Sequence, residues 1–374
     1  MIYFDSAATT FQKPAAVRAA MQEALLTMSS PGRGSYPAAV RAADTAFICR
    51  SELAEFFHLD SPEQVIFTMN ATHALNIAIK SIVPIGGHVV ISGYEHNAVT
   101  RPLQALHAEC AVAEAPLFYP EKVVAAFSAL ITPKTDAVIC NHISNVFGFI
   151  QPIEEIASLC RSRGIPLIID ASQSAGVLPL DMRALGAAFI AMPGHKGLYG
   201  PQGIGVLLCG DPERTVPIME GGTGSFSVQQ EMPDFLPDRL EAGTHNMPGI
   251  AGVLAGLRYV RKRGQSNILR YEQNLAHLMA EKLEKTDNVE VFYLSNPKVQ
   301  AGVVSVVPKG MDVETLGAKL GKNGIAVRAG LHCAPLAHRS AGTLQTGTIR
   351  FSFSDFNTLE EVQYALNVFK RCMR

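Results

Sequence analysis

No apolar stretch of this chain is long enough to cross a bilayer; its longest apolar runs are strand-sized, which excludes a helical membrane span. Charge imbalance is missing as well. Against 33 acidic residues stand 32 basic ones, for a net charge of -1, so the electrostatics give no reason to expect nucleic acid or an anionic membrane surface as a partner. The seven cysteines are odd in number and scattered. With no CxxC pair and no metal-ligand spacing, they offer neither a disulfide framework nor a metal site. Reduced thiols in a cytoplasm, most of them small buried hydrophobes, are the expectation. Met1-Ile2-Tyr3-Phe4-Asp5 lacks a basic segment leading into an apolar core, so no secretory signal is expected. Tryptophan is absent altogether, without functional meaning, and there is no internal repeat or low-complexity segment.

With 374 residues, 48% of them hydrophobic and 17% charged, the chain is long enough for two domains with separate cores. Past an irregular start that ends at Lys13-Pro14, residues 15–28 read as a helix stopped by Ser29-Ser30-Pro31-Gly32, and residues 38–57 as a longer one. The loop between them carries Arg33, Gly34 and Tyr36. From Val65 onward, strand-sized apolar runs (65–67, 89–91, 137–140, 166–169, 188–192, 204–209) alternate with helical patterns at 71–81, about 99–108 and 153–163. Continuously apolar strands alternating with helices indicate a mainly parallel sheet covered on both faces, with ligands bound at the carboxyl ends of its strands. After Asp211 the pattern loosens. Helices over 249–263 and 267–286 lead into strands at 289–293, 303–307 and 349–353 and helices at 313–323 and 358–370. The expected class is therefore α/β, with a large domain over residues 15–248. A smaller α+β domain is expected from 249–374 together with the N-terminal segment 1–14.

Gly194-His195-Lys196 stands between two buried-strand patterns. A lysine there can be a solvated turn residue, or one whose amine burial converts into a nucleophile towards carbonyls. Asp170 ends the most hydrophobic strand, 26 residues earlier and one crossover away, which puts both groups at the same sheet edge. By itself Asp170 can equally be a helix N-cap. A carboxyl group able to hold a cationic ring nitrogen, with a lysine able to form a Schiff base, is the pair that pyridoxal 5'-phosphate requires. Its phosphate needs a cradle, and Thr68-Met69-Asn70-Ala71-Thr72-His73 follows a strand and opens a helix whose first amides, at Ala71 and Thr72, are free. His96 follows the next strand, where it can stack on the ring or be an ordinary loop histidine.

These motifs, in this order, resemble the class V aminotransferase family and, within it, the cysteine desulfurase and selenocysteine lyase group. The likeness runs from Tyr3-Phe4-Asp5-Ser6-Ala7-Ala8-Thr9 through Thr72-His73-Ala74-Leu75-Asn76, Glu95-His96, Ser144-Asn145, Asp170-Ala171-Ser172-Gln173-Ser174 and Gly194-His195-Lys196. It continues through Glu241-Ala242-Gly243-Thr244 and Arg328-Ala329-Gly330-Leu331-His332-Cys333-Ala334 to Arg350-Phe351-Ser352. The resemblance implies a fold-type I pyridoxal-phosphate-dependent transferase. Lys196 would hold the cofactor covalently, Asp170 would pair with its ring nitrogen, Gln173 with its phenolic oxygen, and His96 would stack on its face. Ala71, Thr72 and His195 would bind the phosphate, helped by Thr244 from the other subunit of a homodimer. Asn145 and Arg350 would orient the substrate, Arg350 gripping its carboxylate with both prongs.

Within that resemblance Cys333 decides the reaction, because a plain aminotransferase needs no thiol at the reacting centre. It implies that L-cysteine becomes L-alanine, that Lys196 moves the α-proton and that Cys333 keeps the sulfur as a persulfide for an acceptor protein. His332 and Arg328 are the neighbours expected to favour the thiolate. Selenocysteine as substrate, or a plain class V aminotransferase, are the alternatives. Only 16 residues separate Cys333 from Arg350, as in the short-loop type of these enzymes. Pro193, Gly197 and Tyr36 depart from the family pattern: Pro193 lacks the hydroxyl often found there, Gly197 is an extra residue, and Tyr36 replaces a common histidine. A nucleotide-binding reading fails. Glycines 197, 200, 203 and 205 do not form GxGxxG, and 317–322 is one residue short of a Walker A and lacks its Ser or Thr.

Overall fold

The computed structural model describes residues 1–32 and 34–374; Arg33, which the early loop was expected to present, lies outside them. The strands are β1 (Ile2–Tyr3), β2 (Val65–Thr68), β3 (His88–Ser92), β4 (Glu109–Ala113), β5 (Thr135–Asn141), β6 (Leu167–Asp170), β7 (Phe189–Pro193) and β8 (Gly205–Cys209), then β9 (Val289–Phe292), β10 (Val303–Pro308), β11 (Ile325–Ala326), β12 (Arg328–Gly330) and β13 (Thr348–Ser352). The helices are α1 (Ala15–Thr27), α2 (Pro37–Phe57), α3 (Ala71–Ile82), α4 (Asn97–Ala105), α5 (Pro120–Leu130), α6 (Ile153–Arg163) and α7 (Met182–Leu185), followed by α8 (Met247–Arg263), α9 (Gln265–Glu284), α10 (Val313–Lys322), α11 (Pro335–Ser340) and α12 (Leu359–Cys372).

Seven strands form one sheet in the order β2-β8-β7-β6-β5-β3-β4. Pairing is parallel from β7 through β4, and β8 runs antiparallel to both β7 and β2. Since β2 and β7 both oppose β8, β2 points the same way as the parallel set. The carboxyl ends of β2, β3, β5, β6 and β7 therefore share one edge.

The strands read as unbroken apolar runs because each feeds two cores. Val90, Val138, Ile169 and Ile190 face one side, with α2, α6 and α8. Their neighbours Ile91, Ile139, Ile168 and Phe189 face the other, with α3 and α4. Successive side chains point to opposite faces, so a sheet covered on both sides needs apolar residues at every position.

A four-stranded antiparallel sheet, β12-β13-β10-β9, carries a third core with α9, α10 and α12. The first residues of the chain join it: β1 pairs with β11, and Phe4 is fully buried there. Helix α8 places Ile250, Val253 and Leu257 in the core of the large sheet, so the segment after residue 248 begins on that sheet's side.

Strand β4 and helix α5 were not anticipated from the sequence. Glu109-Cys110-Ala111-Val112-Ala113 is a sheet edge, half exposed and polar at its start, and lacks the apolar continuity of its neighbours.

Candidate active site

A cavity of about 190 Å³ opens at the carboxyl edge of the large sheet, between it and the smaller one. Lys196, Asp170, Gln173, His96, Ala71, Thr72, His195, Asn145 and Arg350 all line it, and Arg328 and His332 line it too. Five strand ends supply most of them, and Arg350 comes across from β13 of the other sheet.

Lys196 is buried. Burial lowers its amine to about 8; Asp170 opposes the shift, and Arg350 and Arg328 add to it. The turn that carries it is tightly seated. A Cβ on the additional residue Gly197 would come within 2.4 Å of the Ala175 carbonyl oxygen, and one on Gly176 within 2.2 Å of the Gly197 carbonyl oxygen. Only glycines let these two backbones pass so closely.

Asp170 caps no helix: one carboxyl oxygen accepts the Ser172 amide (2.9 Å) inside a turn. The Gln173 amide donates to the Ala7 carbonyl (2.9 Å). His96 itself caps α4, its Nδ1 accepting the Ala98 amide (3.0 Å), so its proton sits on Nε2. Burial lowers its affinity for a second proton, against Asp170, so the ring is neutral. His195 is held neutral too, pushed down to about 4 by burial and by the nearby Lys196 and Lys13.

Arg350 is buried, with Nη2 on Asp5 (2.5 Å) and Nη1 on the Asn145 carbonyl (2.9 Å). Asp5 supplies the acidic partner for a guanidinium that burial would otherwise leave uncompensated.

The loop around Cys333 is anchored on three sides. Asn145 Nδ2 donates to the His332 carbonyl (2.9 Å), the Asn97 amide donates to the Cys333 carbonyl (2.8 Å), and the His332 ring packs inward with Nε2 against Thr348 (3.1 Å to O, 2.9 Å to Oγ1). His332 and Cys333 both adopt left-handed backbone angles, φ +51° and +56°. Two consecutive residues of this kind store strain of about 1–2 kcal/mol each, held by those anchors. The thiol is exposed, with Arg328 Nη2 3.7 Å from its Sγ.

The expectation for His332 is thereby corrected. Buried and driven far below the usual imidazole range, chiefly by burial, it carries no charge to offer the thiol. Arg328 is the cation in contact.

Thr244 does not line this cavity. It sits with Thr68, His73 and Glu241 in a neighbouring one. Of the departures, Pro193 closes β7 and lines the site, whereas Tyr36 is exposed, its hydroxyl accepting from Ser29 Oγ (3.2 Å).

Asp5, Lys13 and Glu95 received no role from the sequence. Lys13 Nζ donates to the His195 carbonyl (3.0 Å), which Thr10 Oγ1 also reaches (3.0 Å). Glu95 is fully buried; its Oε1 accepts from Ser92 Oγ (2.6 Å) and the Asn141 backbone amide (2.7 Å). Burial, with Asp170 adding, pushes it up to about 8 against these bonds. Asp5 and Glu95 stand within the motifs that carry the family resemblance, whereas Lys13 has no signal beyond its place before Pro14.

Whether these residues fit pyridoxal phosphate can be tested on the polar atoms they leave unmatched. Among the described residues Asn145 Oδ1, His195 Nδ1 and Arg350 Nε are buried without a protein partner, and all three residues line the cavity. Asn70 Oδ1 caps the His73 amide (2.9 Å), which leaves the Ala71 and Thr72 amides, at the positive end of α3, to meet an anion. An amine near neutrality, a carboxyl group, a flat neutral imidazole and an anion cradle converge here, and the group fits.

The fold and this lysine-centred edge define a class of transferase. A model of the aminotransferase class-V family matches residues 2–365, and the chain belongs to that family. Members of the family are pyridoxal-phosphate enzymes, and the architecture is that of fold-type I. Among its relatives is a probable cysteine desulfurase of Mycolicibacterium paratuberculosis, 32% identical over 99% of this chain and 55% of that protein. Another, from Methanothermobacter thermautotrophicus, is 31% identical over 97% of this chain and 92% of its own length. The solved apo structure of the cysteine desulfurase from Thermococcus onnurineus NA1 superposes with a TM-score of 0.89 at 30% identity, covering 100% of this chain and 94% of that one. The chain thus spans little more than half of some curated relatives and nearly all of others. Among the described residues no helix is long and apolar enough to cross a membrane.

Proposed function

We propose that the protein is a pyridoxal-phosphate-dependent cysteine desulfurase, converting L-cysteine to L-alanine and retaining the sulfur on Cys333 as a persulfide. The observation that carries this reading is the exposed Cys333 thiol in contact with Arg328, on a strained and anchored loop whose His332 lines the Lys196 cavity while Cys333 itself stands outside the lining.

Lys196, Asp170, Gln173, His96, Ala71, Thr72 and His195 hold the cofactor, which supplies an acceptor for the electrons left at the substrate's α-carbon. Arg350 takes the substrate carboxylate on its planar fork, and Asp5 must yield one prong to it. Asn145, tied to both Arg350 and His332, keeps the carboxylate and thiol ends of the site in register. Lys196, neutral above about pH 8, takes the α-proton and returns it. Cys333 attacks the substrate sulfur as the thiolate, so that an S–S bond forms and the Cβ–S bond breaks with its electron pair going to carbon. Protons balance without outside help: cysteine and one thiol give alanine and one persulfide.

Because Thr244 lies outside its own chain's cavity, it serves a cofactor only across a homodimer interface. The seven free thiols suit a reducing cytoplasm, where an acceptor protein takes the persulfide sulfur. The anchored, short Cys333 loop delivers that sulfur close to the site instead of swinging outward.

Replacing Cys333 by Ala tests the reading. Alanine formation from L-cysteine should fall at least about a hundredfold, the usual scale for a lost nucleophile. Undiminished turnover would refute the role of the thiol, and activity on selenocysteine surviving in that variant would reassign the substrate.

A further inference from the structure

A second, smaller cavity touches Lys196 from the other side. About 40 Å³ in volume, it is lined by Ser6, Thr10, Gln173, Lys196, Ser352 and, from α9, Glu272. These polar groups share the walls with Ile143, Val177, Val303 and Phe353, and Ser6 Oγ is buried with no protein partner among the described residues. Polar cavities of this size hold water, each molecule needing about 15 Å³.

Glu272 is the unexplained member. Its side chain lies in the interior between the two sheets, 8% exposed. Burial raises it well above the ordinary carboxyl range; Asp355 adds to the shift and the Tyr199 hydroxyl opposes it, with no cation among these influences. A buried acid without a cation is costly to keep charged and is retained as the neutral acid. Room has been made for it: a Cβ on Gly302 would lie 2.6 Å from Glu272 Cβ and 3.3 Å from its Oε2. Arg263 and the Tyr259 hydroxyl are committed to Asp355 (2.9 Å and 2.6 Å) and not to Glu272.

We propose that Glu272 and the water in this cavity form a proton-exchange path between Lys196 and bulk solvent, entering behind the lysine and separate from the substrate's route. The proposal rests on the reading of Lys196 as the carrier of the α-proton. Lys196, charged by the α-proton, passes a proton through the intervening water to one carboxyl oxygen of the neutral Glu272 while the other oxygen releases its own towards solvent, so that amine and acid both end neutral and one proton has left; the same steps in reverse return it. Glu272 touches no reacting atom and acts through Lys196, as a positioning and relay residue.

The decisive test needs no substrate. Infrared difference spectra of wild type against Glu272→Gln should show a protonated-carboxyl band that is lost in the variant and shifts promptly when the folded protein is moved into D2O. Glu95, the other carboxyl pushed towards neutrality, remains in both samples and cancels. A spectrum without such a band, or a band that exchanges only on unfolding, overturns the path, whatever reaction the enzyme catalyses. A second measurement reads the path at work: alanine formed from α-deuterated cysteine should retain more deuterium in Glu272→Gln than in wild type, with the visible absorbance of the lysine-bound cofactor unchanged. Equal retention in the two proteins would also overturn it.

Discussion

Arg328 Nη2 lies 3.7 Å from Cys333 Sγ, reaching from β12 across the turn that carries the thiol. The neighbouring His332 turns its ring inward to Thr348 instead. The cation in contact with the thiol is therefore the arginine. Two unit charges about 4 Å apart in water interact by about 1 kcal/mol, so Arg328→Gln should slow alkylation of Cys333 at neutral pH about fivefold. Cys110 is also exposed, so labelling must be followed on the separated peptides. An unchanged rate would remove Arg328 from the account.

Arg350 is buried with one prong already on a carboxylate. Asp5→Asn leaves that guanidinium without a charged partner and should lower the stability of the ligand-free protein by about 2 kcal/mol, read in urea; breaking a fully buried pair costs more, and Asp5 is partly exposed. A carboxylate substrate analogue should recover most of the loss. Arg350→Lys keeps the charge but not the fork, and should raise KM for cysteine about tenfold or more, with a smaller change in kcat.

The lysine makes a pH prediction. Burial lowers its amine from 10.5 to about 8, so the unfolded chain binds the proton more tightly than the folded one. The ligand-free fold is penalised below pH 8, and the penalty is relieved as pH rises from 8 towards 10.5. Uptake of pyridoxal phosphate, followed by visible absorbance, needs the neutral amine and should accelerate through about pH 8 and then level off. A rate still climbing towards pH 10.5 would mean that the site does not perturb Lys196, and Lys196→Ala should take up none covalently.

Gly197→Ala tests the packing beneath the lysine. The added Cβ would stand 2.4 Å from a backbone oxygen, a clash that only a backbone shift relieves. The substitution should lower stability by about 1–3 kcal/mol, visible in thermal melting, and should displace the lysine enough to reduce cofactor affinity.

The parallel sheet was legible in the sequence because a strand buried on both faces must be apolar at every position, as in Leu167-Ile168-Ile169. Strand β4 was not, because an edge strand is under no such demand. Lys196, Asp170 and the α3 amides were legible as residues at strand ends, where topology alone brings them together. Asp5 was not, since its meaning depends on β13 lying across the N-terminal segment, a contact spanning 345 positions of the chain. The direction of the His332 ring was equally hidden: sequence places it next to Cys333, but left-handed backbone angles at both residues send the two side chains apart.

Everything proposed for the reaction depends on Cys333 receiving the substrate's sulfur. Mass analysis of the Cys333 peptide, after a single turnover of the cofactor-loaded enzyme with L-cysteine, tests it most directly. One added sulfur atom on Cys333 is expected, removable by a thiol reductant and matched one for one by alanine. Alanine appearing with Cys333 unmodified, or with the sulfur on another cysteine, would contradict it.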